Sequence, residues 1–123
     1  MRKYHVGNVV VAAWEDQDRV PVGILTDRDI VVEVLAVEVD VRSVNSGDVM
    51  SADLLTAGEE EDLLECLRRM KGRGVRRVVV VDDAGRLAGI LTLDDIVEII
   101  AEQMAEISGL IQKEQRMERE RLI

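Results

Sequence analysis

Two nine-residue stretches combine residue types and spacings that can do chemistry. Gly23-Ile24-Leu25-Thr26-Asp27-Arg28-Asp29-Ile30-Val31 and Gly89-Ile90-Leu91-Thr92-Leu93-Asp94-Asp95-Ile96-Val97 agree at seven of nine positions, at an offset of 89 − 23 = 66. In each, a Thr precedes a helical apolar pattern and an Asp follows three residues later, the spacing of a helix N-cap with an acidic third residue. The pattern predicts a capping box at both places. It does not exclude a ligand. A helix start offers N–H donors and a positive dipole end to a phosphate, and a nearby carboxylate accepts hydrogen bonds from sugar hydroxyls. Thr26 and Asp29, with Thr92 and Asp95, are therefore candidates for holding a nucleoside phosphate.

Other charged groups fit that chemistry less directly. Arg73, Arg76 and Arg77 precede a Val run. One of them can neutralise a phosphate with its planar fork of donors, or all three form a solvated basic edge that discourages sheet-to-sheet aggregation. Arg28 sits in the first turn of a helix, where a cation opposes the dipole, which hints at an anion nearby. The acidic pairs Asp82-Asp83 and Asp94-Asp95 are a hairpin turn and a helix start before they are a magnesium site. Cys66 lies between Leu63 and Leu67 on an amphipathic pattern and reads as a buried, inert thiol. Its only potential partner for zinc is His5, so no Cys/His metal cluster exists. His5 and Asn8 stand on the approach to the first Val run, and Trp14, at the hairpin turn, reads as a packing or interface residue. No nucleophile–base pair or metal cluster appears, so the sequence reads as non-catalytic.

The elements that must position these residues come from a repeat. Met1, Val6 and Val9 to Val11 lie over Met70, Val75 and Val78 to Val80 at an offset of 70 − 1 = 69, so the first copy's hairpin carries three extra residues. Each copy reads as a β-branched run, a polar turn, a short strand ending in Gly-Ile-Leu-Thr, and an amphipathic helix. The turns are Glu15-Asp16-Gln17-Asp18, expected to be the longer, and Asp82-Asp83-Ala84-Gly85. The second copy also has a front part. It consists of Val49-Met50-Ser51, a short strand near Leu54 and Leu55, and a helix over 59–70 with Leu63, Leu64, Leu67 and Met70 as its buried stripe. The first copy starts at Met1, opposite Met70, so it shows no counterpart to that front. A C-terminal helix from about Leu93 to Arg121 carries Ile96, Ile100, Met104, Ile107 and Ile111 on one face. We expect it, from its own chain or a partner's, to cover the place of the absent helix.

The chain has 123 residues, a net charge of -9 and one cysteine. That size fits one domain, expected to divide into a first repeat (1–42), a second (43–101) and a helical extension (102–123). The acidity disfavours nonspecific nucleic-acid binding and anionic membranes. No apolar run is long enough to span a bilayer, and no signal peptide is visible; a reducing, cytoplasmic setting is expected. With aromatics at 2%, the core must be Val, Ile, Leu, Ala and Met, which favours an α/β (α+β) fold of small mixed sheets packed with amphipathic helices.

The tandem Gly-Ile-Leu-Thr-x-x-Asp segments, each following a Val-rich strand and opening a helix, resemble the CBS domains first named from cystathionine β-synthase, from Met1 to about Ala101. The resemblance implies two β-α units packed through their sheets, clefts binding AMP, ADP, ATP or S-adenosylmethionine, and pairs that homodimerise. It implies that Thr92 faces the phosphate and Asp95, beside Asp94, the ribose in the second cleft, with Thr26, Arg28 and Asp29 equivalent in the first. Leu55, Thr56 and Ala57 would contact the adenine, Val78 and Val79 line its other face, and Arg76 or Arg77 meet the phosphate. The second cleft is favoured, because the first copy has no counterpart to Leu55, Thr56 and Ala57. The implied role is regulatory: a sensor whose state a separate effector protein or a second copy reads. The alternative is a structural dimerisation module without a ligand.

Overall fold

The computed structural model describes Met1–Leu122 and divides into two compact units, residues 1–90 and from Leu91 onward. The first unit begins with a 3-10 turn, Arg2–Tyr4, and the strands β1 (Asn8–Glu15) and β2 (Asp18–Thr26), paired antiparallel. Between them Asp16 and Gln17 form a two-residue turn with φ of 47° and 76°. This turn is tighter than the four residues expected from the sequence. The extra length sits in the strands instead, which run eight and nine residues against five and six in the second copy. A register shift between Val11 and Ala12, next to Pro21, absorbs the odd residue as a bulge.

Helix α1 (Asp27–Ile30) follows β2 directly and ends in a π turn, Val31–Leu35. Its β-branched Val31, Val32 and Val34 resist regular helical side-chain packing. A 3-10 turn (Val41–Ser43) and α2 (Ser46–Val49) lead to Ser51, which pairs with Ile24 on the open edge of β2. The crossing needs Gly23. A Cβ there would lie 2.2 Å from the Met50 sulfur and 3.0 Å from the Ser51 carbonyl oxygen.

The second sheet has the order β3-β4-β5, from Thr56–Gly58, Arg77–Val81 and Leu87–Thr92, with β3 parallel to β4. The entry strand is therefore Thr56–Gly58, not the Leu54 and Leu55 expected. Helix α3 (Leu63–Arg73) begins four residues later than expected, because Asp62 accepts from the Leu64 N–H and acts as the cap. It ends on Gly74 at φ 65°, a left-handed position that favours glycine. Arg69 fastens this helix to β3, donating to both Glu61 carboxylate oxygens at 2.5 and 2.8 Å and to the Thr56 carbonyl at 2.8 Å. Leu55, Ala57, Cys66, Met70, Val78 and Val79 form the buried core of this half, aliphatic and sulfur-bearing as the composition requires.

The second unit is essentially α4, Leu93–Arg121, whose bounds are those the periodicity predicts. Ile96 is buried, but Ile100, Met104, Ile107 and Ile111 are 48, 62, 54 and 50% exposed.

Candidate ligand-binding cleft

A cleft of about 300 Å³ in the first unit brings together the end of β2 and the front of the second copy. Its walls are Ile24 and Thr26 on one side and Leu54, Leu55 and Val79 on the other, with Val75, Arg76 and Arg77 supplied by the approach to β4. The apolar walls suit a flat ring, and the two arginines add cationic side chains to the lining in an otherwise acidic protein. The Arg77 Nε is buried and has no hydrogen-bond partner, the sole such side-chain atom among the described residues. An orphaned buried guanidinium donor costs free energy that an incoming anion recovers.

Thr26 opens α1 with the capping box the spacing predicts. Its Oγ accepts from the Asp29 N–H at 3.1 Å, and the Thr26 N–H donates to Asp29 Oδ2 at 2.8 Å. Asp29 thus stands one residue layer behind the cleft wall, and Arg28 is exposed outside the lining. Among the other expected contacts, Leu55 lines the cleft, whereas Thr56, Ala57 and Val78 do not. Ala57 and Val78 are core, and Thr56 spends its carbonyl on Arg69. Arg73 pairs with Asp53. Asp53, Ser51, Gly74 and Val75 also line the cleft and escaped the sequence reading. Ser51 and Asp53 arrive through the crossing of 49–51 over β2, and Gly74 and Val75 through the turn from α3 to β4.

Thr92, Asp94 and Asp95 belong to the second unit. Thr92 and Asp95 repeat the capping box, with the Thr92 N–H donating to Asp95 Oδ2 at 2.8 Å and the Asp95 N–H to Thr92 Oγ at 3.2 Å. The Thr92 backbone N–H, helped by its side chain, holds the Asp95 carboxyl below the ordinary carboxylate range. Asp94 is exposed beside it.

A wider groove of about 720 Å³ runs along the two hairpins past Trp14, Arg19, Arg86 and Gly89. It is less suited to an anion, because its cations are already engaged. Arg86 pairs with Asp82 at 2.7 Å and Asp18 at 3.6 Å, and Arg19 lies 5.4 Å from the Trp14 ring centroid. Trp14 is 70% exposed, so it is not a packing residue within the chain. Cys66 is buried, which pushes its thiol pKa up. Among the described residues no three His, Cys, Asp or Glu side chains stand together as a metal site, and no helix is long and apolar enough to cross a membrane.

The comparisons with known proteins agree with this architecture. An uncharacterized protein of Methanopyrus kandleri is 34% identical over 113 residues, which are 92% of this chain and 56% of that protein. The chain thus spans little more than half of that relative's length. A crystal structure of Hypoxic Response Protein I with two coordinated zinc ions is 35% identical, with TM-score 0.65 over 80% of this chain and 76% of that one. A CBS domain protein from Pyrobaculum aerophilum complexed with AMP is 26% identical, with TM-score 0.66 over 76% of this chain and 69% of that one. The CBS domain profile matches residues 1–36 and again 46–102. With both halves of the repeat matched, the chain belongs to the CBS domain family and carries two copies of the domain.

Proposed function

We propose that the chain is a non-catalytic regulatory module that binds an adenosine-containing ligand, AMP, ADP, ATP or S-adenosylmethionine, in the cleft between Thr26 and Arg77. The observation that carries this reading is the buried, unpartnered Arg77 Nε in the cleft wall. The adenine packs against Leu54, Leu55 and Val79, and Arg76 and Arg77 meet the phosphate. Asp29, behind Thr26, turns its second carboxylate oxygen to the ribose. The AMP complex of the Pyrobaculum relative supports the ligand class. Thr92 and Asp95 repeat the Thr26–Asp29 capping box and, with Asp94 beside them, serve a second ligand. The favoured cleft is thus the one opened by Thr26, because its lining is where the arginines and Leu55 converge. Thr56, Ala57 and Val78 support the walls from behind, and Arg28, exposed at the start of α1, adds a cation outside the lining.

Function follows by linkage: a ligand that prefers one arrangement of the two copies stabilises it, and a second copy or a separate effector protein in the cytoplasm reads the change. Titration calorimetry with AMP, ATP and S-adenosylmethionine tests the reading. Saturable heat is expected with at least one, and Arg77→Met should weaken it about tenfold or more, the worth of a charge-assisted hydrogen bond. Comparing Asp29→Ala with Asp95→Ala locates the ribose. Silence with all three ligands leaves a structural dimerisation module as the function.

A further inference from the structure

We infer that the exposed stretch of α4 beyond the family match is a self-association surface, which pairs antiparallel with the same helix of a second copy. The CBS match ends at residue 102, whereas α4 continues to Arg121. In that extension Ile107 is 54%, Leu110 66% and Met117 47% exposed. With Ile100 they recur at seven- and three-residue steps, 100–107 and 107–110–117, the a and d seam of a heptad pattern. A helix with such a seam facing water leaves apolar side chains along one face to be covered.

The sequence of the seam selects the occupant and its direction. Gln103, at a d position, and Glu114, at an a position, interrupt the strip. In a parallel pair Glu114 would face its own copy, carboxylate against carboxylate, with no cation in the layer. In an antiparallel pair centred between Ser108 and Gly109, Ile107 packs on the partner's Leu110 and Ile100 on the partner's Met117. Gln103 then donates its amide to the partner's Glu114. Both contacts of each kind occur twice, as a two-fold axis demands. On the flank, Glu106 meets the partner's Lys113 twice over.

The charge distribution along the helix agrees. From Leu93 to Gln112 it carries Asp94, Asp95, Glu98, Glu102 and Glu106 with no cation, whereas from Lys113 on it carries Lys113, Arg116, Arg119 and Arg121 against Glu114, Glu118 and Glu120. Only antiparallel pairing sets the acidic half beside the half that holds all the cations. This names the surface for the homodimer implied by family resemblance, and it stands independently of the ligand reading.

Light scattering after size-exclusion chromatography of the full chain should give 27.4 kDa, twice the 13.7 kDa of one chain. Ile107→Glu with Leu110→Glu should halve that mass while the far-ultraviolet helical signal persists. Glu106→Lys alone should weaken the dimer, and adding Lys113→Glu should restore it. Cysteine pairs decide the direction even where glutamates unravel the helix, since Cys66 is buried. Met117→Cys alone should not cross-link, because 17 residues separate the two sulfurs axially, about 25 Å, whereas Ile100→Cys with Met117→Cys should. A wild-type monomer, a dimer indifferent to the two glutamates, an unrescued charge swap, or cross-linking of Met117→Cys alone overturns the proposal.

Discussion

Thr92 and Asp95 each satisfy a backbone donor of the other, so the start of α4 depends on one ionised carboxylate. Because the Thr92 N–H holds that carboxyl below its ordinary value, its contribution is fully present above the ordinary carboxylate range. It is lost as pH falls through the depressed folded value. Thermal melts followed by circular dichroism should therefore show a stability loss beginning below about pH 4. Asp95→Asn, whose amide still accepts from Thr92 but does not titrate there, should flatten this step. An unchanged acid profile would show that the cap is not the titrating unit. Arg77 presents the opposite situation, a buried Nε donor with no hydrogen-bond partner.

Glycines mark the element scale, with opposite consequences. Gly23 is fixed by the crossing of Met50 and Ser51, so Gly23→Ala must displace the Met50 side chain and strain the Ile24–Ser51 bridge. A loss of about 1–3 kcal/mol in denaturant unfolding is expected. The same change at Gly89, where a Cβ meets nothing within 4 Å, should cost little of that. Gly109 sits in the interior of α4 with open space around it and lies off the proposed seam. Gly109→Ala should stabilise the helix by about 0.5–1 kcal/mol without changing the mass in solution. A decrease in stability would mean that another chain's backbone approaches there.

For the whole molecule, linkage sets the scale of regulation. A ligand at 100 times its Kd should raise the unfolding free energy of the wild-type chain by about 2.7 kcal/mol, and the gain should shrink in Arg77→Met. Equal shifts in both would place the ligand outside the cleft. The first unit is where this gain should be registered, because Thr26, Leu55 and Arg77 join its two sheets.

Local chemistry was legible in the chain itself. The duplicated Gly-Ile-Leu-Thr-x-x-Asp segments announced both capping boxes and the family, the periodicity gave α4 to its ends, and the aliphatic composition foretold the core. These depend on neighbours three or four residues apart. The start of α3, the tight Asp16–Gln17 turn and the bulge at Pro21 were not legible, since each follows from competition between near-equivalent local options. The cleft itself was decided by tertiary structure. Ser51 crosses to β2 and carries Asp53, Leu54 and Leu55 against Thr26, contacts far apart in sequence that no spacing rule encodes. The exposure of α4 was decided at the same level: periodicity drew an apolar stripe, but only the folded chain shows which side chains it leaves uncovered.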